Sequence, residues 1–217
     1  MTKAQSPPMA ITIRPVSQED VAPIHALYAD EVLHGFANYE YEPPSPQEMA
    51  RRIDAILAAG YPWLVAELDG AFAGYAYASA FRSRAGYRYT VENTVYVHPR
   101  AQRRGVARGL MTVLIERCTA LGFRQMIAVI GDADNAASIA LHRGLGFEQV
   151  AVFRGIGYKA LGDGSGRWLD NVQMQRALAE DARSPPLPAT PSANIAAASA
   201  AAAHEPTAFP PDTPRQT

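Results

Sequence analysis

Apolar and polar residues alternate over residues 10–15 (AITIRP), the period of a strand with two unlike faces, and Pro15 predicts its end. Ser17 with Asp20 three residues on reads as a helix cap, Asp standing in the usual place of Glu. Val21, Ile24, Leu27 and Tyr28 form the apolar face of that helix. Ser45 or Pro46 opens a second helix with Met49, Ile53, Ile56 and Leu57 on one side and Gly60 at its end. Residues 63–68 and 72–80 read as strands joined by Asp69-Gly70, a strong hairpin signal.

The stretch that organises the rest is TVENTVYVHPRAQRRGVAR, residues 90–108. An acid-bearing strand passes through His98-Pro99 into the basic turn QRRGVA, which opens an apolar-striped helix from Gly105 to about Leu121. Gly122 caps that helix, and QMIAVI, residues 125–130, is the continuous apolar run of a strand covered on both faces. Asp134-Asn135 starts a further helix that ends at Gly144 to Gly146, and residues 147–157 and 167–175 read as the last strands. The order β-α-α-β-β-β-α-β-α-β-β is that of one mixed α/β domain with an antiparallel run near its middle.

Composition sets the boundaries of that domain. Residues 1–9 read as a disordered leader, 10–178 as the domain, and 179–217 as a disordered tail, because the last stretch is about half Ala and Pro. The formal net charge of −1 gives no reason to expect nucleic acid or an anionic membrane surface. Basic residues are instead local, over 82–88 and 100–108, as suits a small anionic ligand. Cys118 is the single cysteine, which excludes an intrachain disulfide and a cysteine-cluster metal site. With no long apolar run and no apolar signal core, a cytoplasmic protein is expected. His25 and His34 have no acid or Cys cluster around them and read as solvated or structural.

Two constellations carry chemistry. In the basic turn, Gly105 allows close backbone approach and Ala107 is small, while Arg103, Arg104 and Arg108 offer forks that match phosphate oxygens. The same residues also fit a solvated basic turn before a surface helix. Asn135, Ser138 and His142 lie on one helical face. They fit either a ligand wall or an N-cap with polar surface beyond it.

Together QRRGVA and, about 30 residues later, NAASIALHRGLGF resemble the acyl-CoA pyrophosphate motif and the following helix of the GNAT N-acetyltransferases. Within that family, YPWLVAELDG, AGYAYAS, VENTVYVHPRAQRRGVA, AVIG, ALHRGLGF and GYK followed by RWLDNV are most similar to phosphinothricin and methionine sulfoximine or sulfone N-acetyltransferases. The likeness spans about residues 11–175.

The resemblance implies a mixed, mostly antiparallel sheet splayed at its central strand, acetyl-CoA as cofactor, and a homodimer. Val95, Tyr96 and Val97 would offer backbone bonds to the pantetheine arm. Arg103, Arg104, Gly105, Val106, Ala107 and Arg108 would wrap the pyrophosphate, and Asn135 and Ser138 would touch the cofactor. His142 stands where many relatives carry a Tyr that protonates the departing thiolate. Glu92 shares a strand face with Thr94 and Tyr96, and an acid there serves as general base, a role burial would assist by raising its pKa. Arg82, Arg84 and Tyr87, with Asn38 and Tyr39 as a second wall, would receive an amino acid bearing a carboxylate and a phosphinate or sulfoximine oxygen, while the same loop also fits a solvated charged one. The early loop GFANYEYEPP lacks a Thr common in relatives, and ALGDGSG is extra, so the acceptor is less fixed than the chemistry. Rival expectations are another amine (a protein N-terminus or an antibiotic) or a non-catalytic acyl-CoA sensor.

Overall fold

The computed structural model describes residues 10–183, so the leader and the tail from residue 184 lie outside the described residues. The elements follow the expected order: β1 (Ile11–Pro15), α1 (Val21–His34), α2 (Pro46–Ala58), β2 (Trp63–Leu68), β3 (Ala71–Ala80), β4 (Thr90–Val97), α3 (Val106–Ala120), β5 (Gln125–Ile130), α4 (Ala136–Arg143), β6 (Glu148–Ala160) and β7 (Gly166–Ala177). They build one seven-stranded sheet in the order β1-β2-β3-β4-β5-β7-β6. Every neighbouring pair is antiparallel except β4 and β5.

Local chemistry accounts for the element ends. Asp69 and Gly70 both take positive φ, 52° and 78°, the twist that returns β2 into β3. Ser45 Oγ accepts the Glu48 N–H at 3.1 Å with Pro46 at the first helical position, which starts α2. Before α1, the Ser17 N–H and hydroxyl both donate to the Asp20 carboxylate, which also takes two N–H bonds from Arg14. Arg14 reaches Glu67 as well, so β1, β2 and the start of α1 are tied at one point.

Each face of the sheet carries its own core. Leu64 and Ala66 of β2, Ala76 and Ala78 of β3 and Val91 of β4 pack beneath Leu110, Met111, Leu114 and Cys118 of α3. On the other face Trp63, Val65 and Tyr75 pack against Ile24 and Leu27 of α1 and Met49 and Ile53 of α2. Three expectations need correcting. Leu57 is exposed, since the last turn of α2 overruns the core. Val129 of β5 is 36% exposed, because its side of the strand opens on a cavity instead of a helix. The last hairpin is longer than expected, as β6 runs on to Ala160 and β7 spans Gly166 to Ala177. Just past the expected boundary, the Ala182 N–H donates to Ala179 O and Arg124 pairs with Asp181.

Gly74 lets β4 sit close against β3. It pairs with Val97, and a Cβ there would overlap the Tyr96 carbonyl oxygen and lie 3.0 Å from Val97 Cα. Both obstacles are backbone and cannot swing away. Gly74→Ala should therefore destabilise the fold by about 1–3 kcal/mol, read as a lowered midpoint in urea with an unchanged slope.

Candidate active site

The site begins where a ladder stops. β4 pairs with β5 from Thr90↔Gln125 to Asn93↔Ala128 and no further, although β4 runs on to Val97. Beyond the last pair the two strands diverge, and one edge of β4 loses its backbone partners. Asn93 sits at the fork. Its side chain is buried, Nδ2 donates to Ile127 O at 2.9 Å, and Oδ1 faces His142 Nε2 at 3.0 Å. His142 Nδ1 faces Ser138 O at 2.8 Å, so both ring nitrogens meet protein oxygens.

A cavity of about 780 Å³ passes through this fork. It is lined from both faces of β4: Glu92, Thr94 and Tyr96 on one side, Asn93, Val95 and Val97 on the other. A strand can show both faces to one space only where it has lost a neighbour. The far end of the cavity is the turn before α3. There φ is positive at Arg103 (58°) and at Gly105 (87°) and negative between them, an alternation that gathers backbone N–H groups as in an anion nest. The Gly109 N–H donates to Gly105 O, so the amides of Val106, Ala107 and Arg108 before it lack intrahelical acceptors and, with the helix dipole, favour an anion.

Of the residues singled out from sequence, the cavity gathers Glu92, Val95, Tyr96, Val97, Arg103, Gly105, Val106, Ala107, Arg108, Asn135, Ser138 and His142, with Asn38 and Tyr39 on the opposite wall. Asn135 is the cap of α4, its Oδ1 accepting the Ser138 N–H at 3.0 Å. Arg108 is less free than expected, as its guanidinium donates to Gly144 O at 3.2 Å and links α3 to the end of α4. Arg104 does not line the cavity. Arg82, Arg84 and Tyr87 do not line it either. They are exposed on the loop between β3 and β4, where the Arg82 guanidinium lies 5.0 Å from the Phe81 ring and 5.5 Å from the Tyr87 ring. The loop joins β3 to β4 at the Glu92 end of the sheet, but Arg82 stacks on Phe81 and Tyr87, and Arg88 on Tyr89.

Sequence reading missed Asn93, Tyr28, Tyr77 and Asn171, which all line the cavity. For Asn93 a signal existed: it interrupts the apolar face Val91, Val95, Val97. Asn171 gives none, for it sits on β7, far along the chain.

Burial sets the electrostatics. It alone pushes the Glu92 carboxyl above its usual 4.5, towards the range of a useful proton acceptor. It lowers the His142 imidazole below 6.5, against the upward pull of the Ser138 carbonyl. Burial also raises the Tyr77 and Tyr96 phenols, so this wall is neutral. The Cys118 thiol, in the core beneath α3, is pushed up to about 12, which removes it as a nucleophile at neutral pH.

Comparison with known proteins agrees with this geometry. Residues 17–147 match the Acetyltransferase (GNAT) family. The chain belongs to the GNAT acetyltransferase family. It is therefore an N-acetyltransferase using acetyl-CoA, and the nest, fork and capped helix fit a long diphosphate-bearing thioester. A "Phosphinothricin N-acetyltransferase" of Alcaligenes faecalis is 46% identical over 169 residues, covering 78% of this chain and 83% of that protein. An "L-methionine sulfoximine/L-methionine sulfone acetyltransferase" of Salmonella typhimurium is 40% identical, covering 79% and 97%. The solved GNAT superfamily phosphinothricin acetyltransferase from Sinorhizobium meliloti, in complex with acetyl-CoA, superposes with a TM-score of 0.77 at 46% identity, covering 83% of this chain and 95% of that one.

His142 provides a test of the buried polar chain in this acetyltransferase. Its folded pKa lies below 6.5, so between the two values the unfolded chain binds a proton that the folded chain does not. Stability should then fall as pH drops below about 6.5. Urea midpoints taken on either side of that pH should show the loss, and His142→Gln should flatten it.

Proposed function

We propose that this enzyme moves the acetyl group of acetyl-CoA to the amino group of a small amino-acid-like acceptor, of the phosphinothricin or methionine sulfoximine/sulfone type, with Glu92 as general base. The supporting observation is a half-buried carboxylate of raised pKa, set on one face of β4 and opening through the fork into the space reached from the other face. The names of the relatives supply the acceptor class.

An amino acid arrives mostly as its ammonium form, which is no nucleophile. Glu92 takes one of its protons. Bound acetyl-CoA supplies an acetyl carbon activated as a thioester. The amides of Val106, Ala107 and Arg108 with the Arg103 guanidinium would hold its diphosphate end, and the free edge of Val95 to Val97 its amide arm. As the C–N bond forms and the C–S bond breaks, the nitrogen sheds a second proton, which is enough to neutralise the thiolate.

The resemblance gives that last proton to His142. Its ring nitrogens are already turned onto Ser138 O and Asn93 Oδ1, and burial favours the neutral ring. In our reading His142 instead holds Asn93 at the fork. Glu92 is the only carboxylate among the described residues lining the cavity, which disfavours a polycationic antibiotic as acceptor.

The acidic limb of kcat/KM should lie above 4.5, activity falling as pH drops through the raised Glu92 value. Glu92→Gln should lower kcat by about 10²–10⁴-fold, abolish that limb and leave the KM for acetyl-CoA unchanged. Thiol release with phosphinothricin, methionine sulfoximine and methionine sulfone reads all three. Undiminished turnover by the variant removes Glu92 as base, and no thiol release with any of the panel removes the acceptor class.

A homodimer belongs to the same reading. β6 is an edge strand that exposes Val150, Phe153 and Ile156, apolar surface that a second copy would cover. Light scattering should give twice the 23.4 kDa of one chain, and a monomer at micromolar concentration would sink the assembly.

A further inference from the structure

Lys159 is fully buried on β6, yet among the described residues it forms no ion pair with a carboxylate. Its Nζ donates instead to two backbone carbonyls, Val32 O at 2.8 Å and Glu40 O. Val32 lies in the last turn of α1, whose carbonyls have no helical donors beyond them and whose dipole favours a cation. Glu40 lies just beyond the cavity wall formed by Ala37, Asn38 and Tyr39. Burial lowers the ammonium's pKa while the Glu31 and Glu40 charges pull it back up. An isolated buried cation is costly, and an apolar side chain would fill the same slot without that cost.

The surroundings show what the cost maintains. Glu31 Oε1 accepts the Ala37 N–H at 2.8 Å, and a Cβ at Gly35 would overlap that carboxylate. Two residues before Lys159, Gly157 leaves room for the Tyr39 ring, since a Cβ there would lie 2.5 Å from it. The next residue, Tyr158, accepts the Tyr41 hydroxyl on its carbonyl at 2.8 Å. The Tyr39 hydroxyl crosses the cavity edge to Gly131 O at 2.7 Å. Thus residues 157–159 form a bed for residues 37–41, and Lys159 is the one contact that ties the loop both to the bed and to the end of α1.

We infer that Lys159 is a positioning residue for the acceptor: by holding the end of α1 and Glu40 together it fixes Asn38 and Tyr39 as the wall that selects the amino-acid substrate. This rests on the acceptor reading above, and it leaves the acetyl-CoA side untouched. The nest and the fork stand on β4, β5 and α3, none of which Lys159 contacts through a hydrogen bond.

Lys159→Met keeps the shape and removes the donors, leaving Val32 O and Glu40 O unpaired. With the amino-acid panel, the variant should show an acceptor KM raised about 10-fold or more, the size of a lost pair of charge-assisted bonds. The KM for acetyl-CoA and kcat at saturating acceptor should stay within about twofold. Hydrogen exchange should quicken in the segment 35–42 and not around 103–109. An unchanged acceptor KM, or equal losses towards acceptor and acetyl-CoA, overturns the inference. If Lys159→Met does not fold, Gly157→Ala presses on Tyr39 without removing the cation and must give the same acceptor-only defect; a donor defect or none overturns it. If the wild type turns over none of the panel, the acceptor reading has failed by itself. Exchange then decides the staple: quickening confined to 35–42 supports it, and none there overturns it.

Discussion

The structure depends on a hydrogen-bond ladder that is allowed to end. Seven strands would make a continuous sheet if β4 and β5 stayed paired along their length, and a continuous sheet has no site. Pairing ceases after Asn93↔Ala128, and the buried Asn93 amide occupies the place where the ladder gives out. Unpaired backbone at that depth has to be answered by something. On the fork side that falls to whatever fills the cavity, while the outer edges stay paired, β4 with β3 as far as Val97 and β5 with β7 as far as Ile130. Each diverging strand is held by its outer neighbour, so the fork stays open without strain at its centre.

From that constraint the two-sidedness of the site follows. The donor side is made of local backbone: an alternating-φ turn, a helix start and a strand edge, all within residues 95–108. The acceptor side is assembled from pieces distant in sequence, the loop after α1, Glu92, and β7 through Asn171. A local device can be carried by a short motif, whereas an assembled wall depends on tertiary contacts. That difference explains why one short motif marks the nest, whereas on the other side the sequence points to Glu92, Asn38 and Tyr39 but not to Tyr28, Tyr77 or Asn171.

Much of the fold was legible for the same reason. Asp69-Gly70, Ser45-Pro46 and Gly122 act through their own backbone preferences, and each stands at the end of an element. The strand order was not legible from periodicity, which marks faces but not neighbours; the family resemblance carried only a mixed, mostly antiparallel sheet splayed at its central strand. Arg82 and Arg84 had the right charge for an anionic acceptor, but charge does not fix direction, and the Arg82 guanidinium is satisfied by the Phe81 and Tyr87 rings. Val129 looked like a covered core residue, since a side chain facing a cavity is as apolar as one facing a helix. Lys159 carried no signal, as its partner carbonyl lies 119 positions away.

The polar chain at the fork is closed within the protein. Asn93 Nδ2 is committed to Ile127 O, which turns Oδ1 towards His142 Nε2, while Nδ1 meets Ser138 O. A neutral imidazole has one N–H, and burial favours that form. Carried on Nε2 the proton satisfies Asn93 Oδ1, and Nδ1, which also lies 3.4 Å from Ser138 Oγ, can accept from that hydroxyl. The side-chain polar groups of the fork are thus paired among themselves, and it is the backbone edge of β4 beyond Asn93 that is left to face the cavity.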